Sequence, residues 1–219
     1  MKKLLSAIIA AALLLSGCAS SSRPAESAPP KETPSPSPTP APEPADDELV
    51  LVRDYIPGIF IDLKYATTDN FTGQVIYDSD EAHLRYGTVK KLLAAQNELS
   101  GRGLSLKIWD AYRPVSAQFK LWDICPNPVY VSDPNNGYSK HSRANTVDIT
   151  LVTSAGESIP MPSGFDDFTS LADRDYSDVS AEAAENARLL ESVMVENGFV
   201  PYSGEWWHYS DSVGYDVYE

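Results

Sequence analysis

The chain has 219 residues, 42% hydrophobic and 10% aromatic, enough for one ordinary domain with additional segments. Seventeen Lys and Arg stand against 31 Asp and Glu, and the net charge of −14 argues against a nucleic-acid partner and against a polybasic grip on anionic lipid. Two cysteines, Cys18 and Cys125, exclude a disulfide-stapled miniprotein and a Cys-rich zinc finger, and only three histidines are available for chemistry.

Lys2 and Lys3 precede an apolar run, Leu4 to Leu15, broken only by Ser6 and followed by Ser16-Gly17-Cys18. Twelve residues are short for a membrane span and suit a signal-peptide core. The Leu-Ser-Gly-Cys ending resembles a bacterial lipobox, which implies removal of residues 1–17 and lipidation of Cys18; the alternative is an ordinary secretory signal with a chance cysteine. A thioether-linked diacylglycerol plus an amide-linked chain on that cysteine would give stable anchoring. The expectation is therefore an exported protein, lipid-anchored to the outer face of the bacterial cytoplasmic membrane or the periplasmic side of a membrane. Residues 18–47 hold nine prolines, from Pro24 to Pro44, among Ser, Thr, Ala and Glu. Such a segment cannot bury enough surface to offset its ordering entropy and reads as a disordered linker. In polyproline II form, at roughly 3 Å per residue, it would reach about 90 Å.

The folded unit is expected over 48–219 as a single domain. Glu81 to Leu99, with Leu84, Val89, Leu92 and Leu93, fits an amphipathic helix stopped by Gly101. Leu104–Trp109 and Thr146–Val152 read as strands, the second alternating Val147, Ile149 and Leu151 on one face. Pro114 can open a helix running to Ile124, and Ser180 caps another ending at Asn197-Gly198. Tyr202 to Tyr209 reads as an aromatic strand. Helices and strands do not alternate as regular βαβ units, so the fold class is α+β.

Three short clusters carry the chemistry. In Ser139-Lys140-His141-Ser142-Arg143 followed by Val147-Asp148-Ile149, Asp148 lies inside a strand, opposite Val147 and Ile149. An aspartate there is unfavourable by propensity and needs a partner, either a metal cation or a salt bridge to Arg143 or Arg113. Glu205-Trp206-Trp207-His208 places a carboxylate three residues before a histidine; the bland reading is packed tryptophans with Glu205 and His208 in solvent. Taken together, His141, Asp148 and His208 suit a catalytic zinc with three protein ligands, one ion per chain, and Glu205 is then the natural general base. His83 has no acidic or histidine partner at ligand spacing and reads as a capping or surface residue. Arg113, in Asp110-Ala111-Tyr112-Arg113-Pro114 after a strand, either stabilises an oxyanion or forms a structural ion pair.

These motifs, in this order, resemble the D-alanyl-D-alanine dipeptidases, the VanX-like metallopeptidases of family M15. The resemblance extends through Asp62-Leu63-Lys64-Tyr65-Ala66-Thr67, Asp69-Asn70-Phe71 and Met161 to Phe168, covering nearly all of 50–210. It implies zinc on His141, Asp148 and His208, with Glu205 as base and Arg113 polarising the scissile carbonyl and holding the tetrahedral intermediate. It further implies that Ser139 meets the substrate carboxylate and Asp166 its ammonium. The implied fold is a small antiparallel sheet with packed helices. One departure is Ala144, where the family usually has glycine; if the backbone there needs a positive φ, the following Asn145 tolerates it better than alanine. The implied substrate is a small peptide. Free D-Ala-D-Ala fits Asp166. Outside the cell the same sequence ends peptidoglycan stem peptides without a free ammonium, so a D,D-carboxypeptidase is an alternative. A non-catalytic zinc module binding wall peptides would usually lack Glu205 or Arg113, and a two-lobed solute-binding lipoprotein would need a longer chain.

Overall fold

A computed structural model of the chain describes residues 42–218. The expected signal peptide, Cys18 and the linker as far as residue 41 lie outside the described residues. In chain order the elements are β1 (Leu49–Leu51), α1 (Val52–Tyr55), β2 (Phe60–Ile61), β3 (His83–Arg85), α2 (Tyr86–Ser100), β4 (Leu104–Asp110) and α3 (Val115–Ile124). They continue with β5 (Thr146–Thr153), α4 (Ala181–Glu196), β6 (Phe199–Tyr202) and β7 (Glu205–Asp211), with short 3-10 turns at Lys64–Ala66, Lys140–Arg143 and Ser170–Ala172.

The apolar alternation on β4 and β5 builds the core. Leu106 pairs with Leu151 and Ile108 with Ile149, and all four are fully buried. They join Val89, Leu92 and Leu99 of α2 and Ala187, Leu190 and Met194 of α4 in one apolar cluster. Each such buried Leu or Ile contributes about 1.5–3 kcal/mol relative to exposure. Helix α4 begins as its sequence indicates, with the Ser180 hydroxyl accepting from the Ala183 N–H at 3.2 Å, and ends at Gly198 with φ of 87°. Helix α2 starts later than its periodicity indicates. Residues 83–85 extend instead as β3 and pair with β1, Val50 opposite Leu84, so tertiary pairing overrides local helix preference.

The main sheet has the order β2-β4-β5-β7-β6. The chain is α+β with helices packed on a small sheet, as expected, but the short edge strand β2 runs parallel to β4, so the sheet is mixed. Its ladders are irregular in two places. Between β4 and β5 the register passes from Ile108↔Ile149 to Asp110↔Asp148, leaving Trp109 as an extra residue. Between β6 and β7 it jumps from Pro201↔Tyr209 to Tyr202↔Glu205, so Trp206, Trp207 and His208 have no partner on β6. Pro201, lacking an N–H, stands where the ladder breaks. The single strand expected from Tyr202 to Tyr209 is thus a hairpin corner plus a bulged β7. At the corner a Cβ on Gly204 would come within 2.9 Å of the Tyr202 ring, which would have to move aside.

The two ends of the described residues meet on Arg85. Its guanidinium donates to the carbonyls of Asp47, Arg143 and Asp216 and lies over the rings of Tyr215 and Tyr218. Close by, the Tyr218 N–H donates to the Ser142 carbonyl at 2.9 Å and Arg143 to the Tyr215 carbonyl at 2.7 Å. Cys125 is half-buried against the core at the end of α3. No helix among the described residues is long and apolar enough to cross a membrane.

Candidate metal centre and active site

Three central strands set the site. Asp110 on β4, Asp148 on β5 and His208 on β7 are cross-strand neighbours, and the turn before β5 adds His141. In that turn the Ser139 hydroxyl accepts from the His141 N–H at 3.3 Å. The turn closes on Ala144 in the left-handed region, φ 57°, ψ 29°, with its side chain fully buried. The positive φ falls on the alanine itself, not on Asn145.

His141 Nδ1 lies 2.8 Å from the Ala111 carbonyl oxygen, which can only accept, so the ring donates there and leaves Nε2 as a lone-pair donor. That Nε2 sits 3.3 Å from Asp148 Oδ2 and 3.4 Å from His208 Nδ1, while Asp148 Oδ1 is 3.0 Å from His208 Nδ1. One ligand atom from each of the three falls within 4.8 Å of the others. Asp148 does not pair with either arginine. Arg113 is held by Asp110, and Arg143 is engaged by a carbonyl. Burial opposes charge on all three, but the two histidines hold the Asp148 carboxyl well below the ordinary carboxylate range. His141 is pulled down by burial yet held above its ordinary value by Asp148 and Asp110, whereas burial leaves His208 below its own. An ionised carboxylate and two imidazoles, one with its tautomer fixed by a backbone carbonyl, fit a zinc-type cation.

Glu205 comes to the same place. In a regular strand, residues three apart point to opposite faces. The bulge in β7 instead brings Glu205 Oε2 to 3.4 Å from His208 Nδ1. Burial, then Asp148, push the Glu205 carboxyl up to about 7. Neither residue lies in open solvent, and Trp206 and Trp207 between them are both fully buried. A cleft of about 270 Å³, lined by Ser139, Lys140, Tyr130, Tyr202, Glu205 and His208, gives access. A larger cavity of about 730 Å³ lies between α2 and residues 213–215 and holds no member of the cluster.

Arg113 is fixed as well as buried. Its Nε and Nη2 donate to Asp110 Oδ2 at 3.2 and 2.6 Å, Nη1 to Gln118 Oε1 at 3.0 Å, and the guanidinium lies over the Tyr65 ring. Of five guanidinium N–H groups, these contacts use three, so two have no partner among the described residues. Asp166, with φ of 54°, accepts from the Tyr65 hydroxyl at 2.8 Å. Desolvation, with Asp148 and Asp110 nearby, pushes its carboxyl up to about 8 despite that hydrogen bond. Tyr65 is held by edge-on contacts with Phe71, Tyr77 and Phe165. His83 is on β3, half-exposed, its Nδ1 near the Glu81 carbonyl, and outside the cluster.

The sequence left Asp110, Tyr65 and Gln118 without roles. A carboxylate three residues before Arg113 at a strand end was the available signal for Asp110. Arg174, between two aspartates in a loop, gave none. It reaches the carbonyls of Tyr202, Glu205 and His208.

A metal-dependent hydrolase is the class that this donor set, beside a carboxylate and an open cleft, fits. The model of the M15 peptidase family described as D-Ala-D-Ala dipeptidase matches residues 45–216, and the chain belongs to that family. It is 39% identical to the D-alanyl-D-alanine dipeptidase of Escherichia coli (strain K12) over 162 residues, covering 74% of this chain and 83% of that one. It is also similar to the D-alanyl-D-alanine dipeptidases of Streptomyces coelicolor (37% identical; 74% of this chain, 91% of the other) and Enterococcus faecium (35%; 71% and 87%). The chain is a metallopeptidase.

Proposed function

We propose that the chain hydrolyses free D-Ala-D-Ala to D-alanine with zinc held by His141, Asp148 and His208. Zinc bound there would supply a Lewis acid for the scissile carbonyl and bring the pKa of water toward neutrality. Glu205, beside His208, takes the proton of the attacking water and delivers it to the leaving amine. The two uncommitted N–H groups of Arg113 meet the charge developing on the carbonyl oxygen. Ser139, whose oxygen accepts from a backbone N–H, keeps its proton for the substrate carboxylate.

One observation supports a free dipeptide over a stem peptide. Asp166 has only the Tyr65 hydroxyl as a hydrogen-bond partner and no ion pair among the described residues, and it is raised to about 8 by desolvation. A carboxylate left in that condition gains from the ammonium that a free dipeptide carries and a stem peptide lacks. The lipobox-like Leu15-Ser16-Gly17-Cys18 supports export and anchoring through lipid on Cys18, where released wall dipeptide would be the substrate.

The test is D-alanine release by the zinc-loaded full chain from D-Ala-D-Ala and from a pentapeptide ending in D-Ala-D-Ala, beside Glu205→Gln. Turnover of the dipeptide alone, lost in the variant, is expected. Turnover of the pentapeptide would make the chain a carboxypeptidase, and silence on both with zinc bound would refute the reading. Lipidation is checked by acyl labelling of cells expressing the wild type and Cys18→Ser.

A further inference from the structure

The contact between Glu205 and His208 depends on a backbone that a strand does not adopt unaided. Carbonyls three residues apart in a regular strand point to opposite edges. Here the carbonyl oxygens of Glu205 and His208 both accept from one atom, Arg174 Nη2, at 3.0 and 3.2 Å. Arg174 Nε donates to the Tyr202 carbonyl on the other side of the corner at 2.7 Å. These contacts fill the stretch in which Trp206, Trp207 and His208 lack partners on β6. The arginine therefore supplies donors where the ladder supplies none.

Arg174 is itself anchored. Its Nη1 donates to Glu191 Oε2 on α4 at 2.8 Å and to the Tyr209 hydroxyl at 3.1 Å, and its guanidinium lies 4.7 Å from the centre of the Tyr209 ring. Only 10% of its side chain is exposed. Tyr176, two residues on, sits at φ 57° with its hydroxyl 3.4 Å from the same Glu191 oxygen, so the loop that delivers the arginine is also tied to α4. Its polar contacts lead to backbone carbonyls, to α4 and to Tyr209, and Arg174 is not among the residues that line the cleft. Lysine, a single point donor, cannot replace a fork that spans three carbonyls.

We propose that Arg174 is a positioning residue, which clamps the bulge of β7 so that Glu205 and His208 are presented together to the metal and the substrate. The proposal rests on the hydrolytic role of Glu205 and on the metal role of His208. Its effect is to fix the separation of base and ligand from the helix side of the sheet, leaving the cleft side free for substrate.

The experiment compares the full chain as wild type, Arg174→Lys, Arg174→Ala and Glu191→Gln. The readouts are zinc affinity by chelator competition, amide hydrogen exchange over 202–209, and kcat and KM on D-Ala-D-Ala. Arg174→Ala should weaken zinc binding and lower kcat, each by about 10- to 100-fold, with KM changed much less. Exchange at 206–208 should quicken, and added guanidinium ion should restore part of kcat. Arg174→Lys should stay close to Arg174→Ala. Zinc affinity and kcat within twofold of wild type in Arg174→Ala would overturn the proposal even if the melting temperature fell as in Glu191→Gln. A wild type that binds zinc but cleaves no dipeptide refutes the function and leaves the zinc and exchange readouts to judge the clamp.

Discussion

Replacing Asp166 by asparagine should make the protein more stable and a worse enzyme, with both effects dependent on charge. The carboxyl is raised from an ordinary 3.8 to about 8, chiefly by desolvation. For an acid raised on folding, the native state binds the extra proton between those two values, so its contribution to stability falls as pH rises through that window. The gap of roughly four units corresponds to about 5.5 kcal/mol, and because Asp166 is half-buried, solvent screening brings this to about 1–3 kcal/mol. Asp166→Asn keeps an acceptor for the Tyr65 hydroxyl and removes the titration. Urea denaturation of the metal-free full chain should show the two proteins equal near pH 4 and the variant more stable by about 1–3 kcal/mol at pH 8.5. In the zinc-loaded enzyme the same change should raise KM for D-Ala-D-Ala by about 10- to 100-fold, the loss of one charge-assisted bond of about 1.5–3 kcal/mol. A stability difference that does not vary with pH would show that the carboxyl is not desolvated. An unchanged KM would remove Asp166 from substrate binding.

Arg113→Ala should keep its zinc, as measured by metal content, and lose about 3–4 kcal/mol of transition-state stabilisation, read as a fall in kcat/KM of about 10²- to 10³-fold. Zinc added to the metal-free chain should raise stability by about 2.7 kcal/mol at a hundredfold excess over its dissociation constant, a shift absent in His141→Ala and followed by thermal denaturation. Ala144→Gly should stabilise the chain by about 0.2–1.2 kcal/mol, since relief of the left-handed backbone, about 1–2 kcal/mol, outweighs one buried methyl of about 0.8 kcal/mol. A urea midpoint lower than that of the wild type would contradict this.

The donor atoms were legible in the sequence because the chain has few histidines and an aspartate in mid-strand demands a partner. What brings them together was not. Glu205 and His208 meet through a break in the ladder after the Pro201–Tyr209 pair, and no local propensity encodes a break bridged by Arg174 from another loop. Asp110 was visible beside Arg113, yet its hold on that residue, together with Gln118, needed the fold. The early start given to α2 failed for a similar reason: Leu84 suits a helix face, but pairing with Val50 claims it for a strand. Periodicity reports the face that a residue buries; long-range pairing decides the element that presents it.

Residues 215–218 form part of the scaffold of His141. Tyr218 and Tyr215 bond to Ser142 and Arg143, and Arg85 joins Asp216 to the carbonyl of Arg143. Removal of residues 212–218 would spare His141, Asp148, His208, Glu205 and Arg113. It would still strip the brace from the turn that carries His141, producing a protein whose active-site sequence is intact and whose centre is not. For the same reason a purification tag belongs at neither Tyr218 nor the Asp47 segment beside it, because both ends of the fold converge on one arginine next to the metal turn.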